Sequence, residues 1–435
     1  MQQRIGAFSW GQYYHSGQLS QQLLWLACGA GVAGLLAFRM LIALSPVVGV
    51  LAALTNPRLR QALPQYWRNG AALRAAALVA FLLLSGLYTS EWAVWRHELF
   101  RSLTWLGVPL AFTLAVPLSA RQRLTVGAFF VLSTAAVGLL TMGQYLLDPA
   151  AALEAIRVGQ NLQAATGTFH IAFGLMLAQA FFWGLLLRRS PLAGQALRTG
   201  LLLAVGVIAL SLHVLAYRTG LLVLYAGLLA WAFRLLLRRR QRLVGLGLLL
   251  AVLVLPWLAY RTLEPVQQRI STTLYDVAQY TEGRDINGYS LAQRLAAVET
   301  AGAIIRENWL LGAGPADAYA AMQAQYAWRN FGLRPENRVN VHNQYLSTLV
   351  GGGVVGLALW LAVLLGPLVQ RATRRNPYVW VFIFTQAVAM LVVDILSLQI
   401  SLNLFVFGYG FVVVATETAA RSAEPELPGL PPAGR

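Results

Sequence analysis

Apolar runs long enough to cross a bilayer recur along most of the chain; a spanning helix takes about 20 mostly apolar residues. They can be centred near Ala30, Gly49, Ala80, Val108, Ala135, Gly174, Ala204, Tyr225, Val252, Gly356, Met390 and Tyr409. The pattern predicts an all-α polytopic membrane protein of about twelve transmembrane helices, with both termini on one side. Pro46, Pro109, Pro256 and Pro367 fall within or near the ends of these runs. Membrane helices tolerate that, because neighbours satisfy the freed backbone groups. The first run, from about Leu19 to Phe38, is too long and too soon followed by another to read as a cleaved signal.

The rhythm breaks once, between Leu263 and Val341. A connection of roughly 80 residues is far longer than usual and points to a functional loop. The expected organisation is helices 1–9 over 1–262, a loop domain over 263–341, helices 10–12 over 342–420 and a Pro-rich, disordered cytoplasmic tail over 421–435. Within the loop, Ser290 to Asn308 reads as an amphipathic helix whose stripe is Leu291, Leu295, Val298, Gly302 and Ile305. Ser290 with Gln293 forms a potential capping box, and Gly302 weakens the stripe by about 1 kcal/mol relative to Ala. Gly312-Ala-Gly314-Pro315 ends that helix and starts a second helical run to about Trp328.

Composition supports the membrane reading: 58% of residues are apolar and only 11% charged, which excludes the soluble globular classes. The formal charge of +17 comes from 33 basic residues, all Arg, against 16 acids. Such a balance could mark a nucleic-acid binder, but its distribution argues for orientation. Arg58, Arg60, Arg68 and Arg74, then Arg121 and Arg123, Arg188, Arg189 and Arg198, Arg234 to Arg242, and Arg371 to Arg375 all fall in connections on one face, with Arg4, Arg421 and Arg435. By the positive-inside rule that face is cytoplasmic, so both termini are inside. The opposite face is then electrically neutral, and membrane lipids rather than nucleic acid are the expected surroundings. Cys28 is the single cysteine, so neither an intrachain disulfide nor a Cys-rich metal site is expected.

Polar residues held at membrane depth are costly and mark candidate sites. Four of five histidines, His97, His170, His213 and His342, sit at outer helix ends, with His15 elsewhere. His342 opens a span directly after the long loop; an imidazole there can accept a proton at neutral pH, or simply bond loop carbonyls. Arg218 ends a turn between two spans with no polar loop to solvate it. A guanidinium cannot shed its charge, so Arg218 needs an anion: a distant carboxylate such as Asp394, a bound ligand, or water reached by snorkelling. Arg294 lies at the margin of the loop-helix stripe, aimed at whatever that stripe packs on, or paired with Glu299 or Asp317. Arg329, Arg334 and Arg338 form a looser basic group before His342, whose forks suit phosphate oxygens. Phosphate-loop, dinucleotide and zinc-protease patterns are absent, no Asp-X-Asp occurs, and neither metal nor cofactor is implied.

Three stretches together resemble the bacterial O-antigen ligase family, within the group that includes O-antigen polymerases and O-linked oligosaccharyltransferases. Arg218-Thr-Gly220 is similar to the family's Ser-Arg-Gly turn, with Tyr217 in place of Ser. Arg294 followed by Glu307-Asn-Trp-Leu-Leu-Gly312-Ala-Gly314 looks like its Arg and acidic-X-Pro-Leu-X-Gly-X-Gly stretch, with Trp309 where Pro is common. His342-Asn343-X-X-Leu346 and Gly353-X-X-Gly356 look like its next helix start. The resemblance implies a C-type glycosyltransferase-like fold in the inner membrane. It also implies transfer of a glycan from undecaprenyl diphosphate to the lipid A-core at the periplasmic face. On that reading His342 is the general base and Arg218 and Arg294 hold the diphosphate. Asn343, Tyr345, Arg334, Arg338, Tyr217, Asp394 and His170 are candidate substrate-binding residues. The reaction is expected to be metal-independent and inverting. Alternatives are an O-antigen polymerase, an O-linked protein glycosyltransferase, disfavoured by the short run after the last span, and a lipid-linked sugar transporter, disfavoured because polar residues gather at the outer rim rather than the midplane.

Overall fold

The computed structural model describes residues 10–150, 154, 162–329 and 331–422. Among them every regular element is helical. The order is α1 (Trp10–His15), α2 (Gln18–Leu36), α3 (Arg39–Leu54), α4 (Leu59–Arg68), α5 (Gly70–Ser85), α6 (Trp92–Ser102), α7 (Thr104–Leu114) and α8 (Ala120–Leu147). After 162 come α9 (His170–Leu187), α10 (Gln195–Val214), α11 (Arg218–Leu236), α12 (Arg242–Thr262), α13 (Glu264–Thr281), α14 (Ser290–Glu307) and α15 (Ala318–Trp328). The chain ends in α16 (Gln344–Val369), α17 (Pro377–Ala389), α18 (Gln399–Gly408), a π-helical turn at Tyr409–Val414, and α19 (Ala415–Ser422). Arg421 and Ser422, assigned above to the tail, close the last helix; 423–435 lie outside the described residues.

Eight of these helical runs are long and apolar enough to cross a membrane, and nine if α4 and α5, bent by 72° at their junction, form one span. The other sequence centres fall on shorter pieces: Gly49 on the 16-residue α3, Val108 on the 11-residue α7 and Met390 just past the 13-residue α17. At 1.5 Å per residue, thirteen residues reach only about 20 Å, short of a hydrocarbon core of about 30 Å. The chain stops being helical after α17 because the backbone there bonds across to the start of α16. The Gln344 N–H donates to the Met390 carbonyl (2.9 Å), and the Leu396 N–H donates to Gln344 Oε1 (2.9 Å).

The main core is largely apolar, with Trp360, Tyr409, Phe405, Phe382 and Trp105 packed ring against ring. One ion pair lies within it. Glu417, fully buried, accepts from Arg74 (2.9 Å) and from the Ala71 N–H at the start of α5 (2.9 Å). Removing one member of a buried pair strands the other charge, at about 3–5 kcal/mol. Glu417→Ala is therefore expected to lower the thermal unfolding midpoint in detergent by many degrees, and an unchanged midpoint would show the pair to be idle.

Residues between Leu263 and Val341 build a second, smaller core. Here the structure corrects the expected stripe of α14. Its buried side is Ala292, Ala296, Thr300, Ala301 and Ile304, one position away from Leu291, Leu295 and Val298, and Val298 is exposed. Leu291 and Leu295 are only half-buried, and alanines allow α14 to approach α15 and the end of the loop, where Met322, Tyr326, Leu333 and Val341 complete the core. The capping box is also absent: the cap position is Tyr289, with no side-chain bond, and Gln293 Nε2 donates to the Asn287 carbonyl (2.8 Å). Two attachments join this unit to the membrane helices. Asp317 accepts from the Thr89 hydroxyl (2.5 Å), and from the Ser90 N–H (2.8 Å) and hydroxyl (2.5 Å). Burial opposes its charge, but these donors prevail and hold the carboxyl below its ordinary pKa. The staple therefore contributes at neutral pH and is lost as pH falls through that depressed value.

Candidate active site

The second attachment is made of glycines. α16 is interrupted at Gly353, whose φ of 58° lies in the left-handed region, and Gly312 at the end of the loop motif has φ 69°. In the gap the two segments exchange backbone bonds. The Ala313 N–H donates to the Val350 carbonyl (2.8 Å), and the Val354 N–H donates to the Trp309 carbonyl (2.8 Å). A Cβ on Gly353 would come within 2.4 Å of Leu310 backbone, and one on Gly312 within 2.5 Å of Gly351 and Gly352 backbone. Only glycine fits this backbone-on-backbone crossing. The two glycine motifs are thus one structure, which clamps the loop unit over the start of α16. Gly353→Ala is expected to loosen hydrogen-exchange protection across α14 and to lower activity at least about tenfold, given 1–2 kcal/mol for a left-handed alanine plus the clash. Unchanged protection would remove the clamp from the argument.

His342 stands just before α16. Asn343 caps the helix, accepting from the Leu346 N–H (3.0 Å) and donating through Nδ2 to the Leu391 carbonyl (3.0 Å). The Tyr345 hydroxyl donates to the Ala387 carbonyl (3.0 Å). Asn343 therefore pins the irregular Met390–Leu398 segment, and Tyr345 the end of α17 just before it, beside His342. That segment carries Asp394, whose Oδ1 lies 3.4 Å from His342 Nδ1. Asp394 is nearly buried, while about a third of the His342 side chain is open. A carboxylate facing Nδ1 favours the tautomer with the proton there and leaves Nε2 able to accept another.

Arg218 is the first residue of α11. The turn before it passes through Ala216 at φ 49°, and the Tyr217 hydroxyl donates to the Leu162 carbonyl (3.0 Å). Gly220 seats α11 directly on α9: a Cβ there would meet the Gly174 oxygen at 2.6 Å. That approach keeps His170, which opens α9, beside Tyr217 and Arg218. Arg218 Nη1 donates to the Thr273 hydroxyl (3.3 Å), and the carboxylate that acts on it is Asp276 rather than Asp394.

Thr273 and Asp276 belong to α13, a helix the sequence reading left as undivided loop. Its inner face is Arg269, Thr273, Asp276 and Tyr280, spaced by four, three and four, a polar stripe that could have been read from the sequence. Arg269 and Asp276 are 6% and 2% exposed. Burial, reinforced by the neighbouring Arg218 charge, draws Arg269 down to about 10, still cationic at neutral pH. Asp276 Oδ2 accepts from the Leu291 N–H (2.7 Å), so α13 caps α14 and sets Arg294 one turn along. The Arg294 Nε is buried and has no hydrogen-bond partner among the described residues. Burial and the Arg218 charge push Arg294 below its ordinary pKa, and Asp394 acts against them. Neither carboxylate considered from sequence pairs with it: Glu299 binds Arg329 and the Tyr280 hydroxyl, and Asp317 binds Thr89 and Ser90.

His342, Asp394, Arg294, Arg218, Tyr217 and His170 thus form one connected cluster, and Arg269 and Asp276 join it. His170 lies where the fields of Arg269, Arg294 and Arg218 overlap. Arg334 stays apart, exposed beside Asp285, its N–H donating to Asn287 Oδ1 (2.8 Å). Arg338 lies near Tyr326, in the loop core. The His213 ring bridges the Ala209 carbonyl (2.7 Å) and the Tyr225 hydroxyl (2.6 Å), a structural role. No group of three His, Cys, Asp or Glu able to hold a metal occurs among the described residues. The cluster can bind a compact, multiply charged anion and remove a proton beside it.

Residues 200–361 match the family model described as O-antigen ligase. The chain carries an O-antigen ligase domain. The matched stretch of the ligase domain contains Arg218, Arg269, Asp276, Arg294 and His342, while His170 and Asp394 reach the same place from outside it. No curated protein matches the chain. With its long apolar helices, the ligase domain marks a membrane protein and a glycosyltransferase-like enzyme of the O-antigen ligase or polymerase type.

Proposed function

We propose that the protein is an O-antigen ligase that transfers a glycan from undecaprenyl diphosphate to a sugar hydroxyl of the lipid A-core. The observation that carries this reading is the arginine-rich cluster, with Arg269 buried and Arg294 half-buried, beside an imidazole–carboxylate pair. Asp276 is the carboxylate that acts on Arg218 and Asp394 the one that acts on Arg294, and the Arg294 Nε has no hydrogen-bond partner among the described residues. A diphosphate supplies the missing negative charge in a form that guanidinium forks bind well.

In the reaction, His342 Nε2 takes the proton from the acceptor hydroxyl while its oxygen attacks the anomeric carbon. The bond from that carbon to the diphosphate oxygen breaks, and the arginines stabilise the charge that develops on the leaving group. Asp394 orients the imidazole and stabilises it when protonated. A single displacement inverts the anomeric configuration. A retaining route needs a second carboxylate placed as nucleophile, and the carboxylates of the cluster face His342 and the start of α14. The positive-inside pattern puts both termini in the cytoplasm and this cluster at the periplasmic face of the inner membrane, where a lipid diphosphate donor arrives already activated.

Purified protein supplied with undecaprenyl-diphosphate-linked glycan is expected to form product only when lipid A-core is added, and equally well with a chelator present. Longer carrier-linked chains formed without the acceptor would make the enzyme an O-antigen polymerase, and loss of activity restored by Mg²⁺ would overturn metal independence.

A further inference from the structure

At the ends of α9, α11 and α17 remote from His170 and Arg218, the three helices part around a groove of about 640 Å³. Its walls are apolar, with Phe182, Trp231 and Phe384 facing the space. Its rim is basic: Arg189, Arg234 and Arg238 line the same groove, and no acidic residue does. The Arg189 guanidinium lies 5.9 Å from the centre of the Trp231 ring, which joins the cationic rim to the apolar wall. Gln241, just before α12, and Val244 in its first turn line the groove, while α12 is mostly exposed along its length, so it flanks the groove without closing it. Phe233, Leu237 and Leu243, next in sequence to groove-lining residues, are exposed.

A water-filled anion site has no use for an aromatic slot, and a purely apolar lipid contact has no use for three arginines without a carboxylate. The combination matches an amphiphile with an anionic head and a hydrocarbon chain. We propose that this groove binds an anionic glycerophospholipid. Its phosphate lies between Arg189, Arg234 and Arg238, and an acyl chain runs along Phe182, Trp231 and Phe384. Guanidinium forks match phosphate oxygens, and basic pockets between membrane helices suit such headgroups. The site is separate from the catalytic cluster and does not depend on which glycan or acceptor the enzyme uses.

The test is native mass spectrometry of the full chain in detergent, titrated with phosphatidylglycerol, phosphatidylcholine or inorganic phosphate. The wild type is expected to retain phosphatidylglycerol in preference to phosphatidylcholine. At roughly fivefold per arginine, Arg234→Gln with Arg238→Gln should weaken phosphatidylglycerol binding by roughly tenfold or more. Arg58→Gln with Arg60→Gln, which removes the same charge elsewhere, should leave it unchanged. Ala230→Trp keeps every charge and fills the slot, so it should also weaken the lipid; this variant decides the matter if the arginine variant is not stably produced. Equal affinity for the two lipids, or equal loss in the Arg58/Arg60 control, overturns the proposal. So does inorganic phosphate binding that Ala230→Trp does not affect, which would mark a bare anion site.

Discussion

His342→Ala is expected to lower glycan transfer to lipid A-core by about 10²- to 10⁴-fold, the usual worth of a positioned general base. The imidazole is partly open and its Nδ1 is 3.4 Å from Asp394, so truncation removes the proton acceptor without emptying a packed core. The helix start beside it is held by other groups, the Asn343 cap and the Tyr345 hydroxyl, so the protein should accumulate and stay inserted. The check is polymer attached to lipid A in cells, with protein level measured alongside, followed by turnover of the purified enzyme. Attachment at normal levels would remove His342 from the chemistry. Asp394→Asn should produce a smaller loss, because it leaves the acceptor nitrogen in place and disturbs only its tautomer and orientation. If Asp394→Asn were as damaging as His342→Ala with the protein intact, the two would be acting as one unit.

Arg218→Lys should cost about 10²- to 10³-fold in turnover, comparable to losing one preorganised donor aimed at developing charge. The substitution keeps the positive charge, so its effect isolates the guanidinium fork. The fork is anchored in place: Gly220 seats α11 on α9, Nη1 rests on the Thr273 hydroxyl, and Asp276 supplies the nearest opposing charge. A lysine ammonium reaches the same region but cannot grip two oxygens in one plane. In the proposed reaction charge on the diphosphate grows as the glycosidic bond breaks, so kcat and kcat/KM should fall together, with little change in KM. Near-full activity would mean that Arg218 only reaches water at the membrane surface. Arg269→Ala offers the comparison within the same cluster, with a loss expected in the same direction.

Much of the site was legible because chain order carried it. An arginine at a bare turn, an arginine on a loop helix and a histidine at the next helix start are each visible in sequence, and the structure gathers them. What escaped was decided by groups far apart in the chain. Asp394 belongs to a segment that reads as plain membrane helix, and it faces His342 only because Gln344 and Asn343 bond that segment out of helical form. The stripe of α14 was misplaced by one position because apolar size was weighted over small size, whereas close helix approach buries alanine and leaves Val298 outside. Arg269 was hidden because α13 was not recognised as a helix, so its spacing from Thr273 and Asp276 carried no meaning.

The sequence by itself determined the solvent and the helical class. Long apolar runs, scarce charge and dense arginine clusters in alternate short connections specify a helical membrane protein, since hydrophobicity and charge bias act locally and survive any rearrangement of the helices. Only the tertiary structure decided which charges meet. Arg294 is drawn toward Arg218 and Asp394 rather than Glu299 or Asp317 because Asp276 caps α14 and two left-handed glycines clamp the loop unit onto α16. Such choices rest on directional hydrogen bonds and on contacts that exclude a Cβ, and neither leaves a periodic trace along the chain.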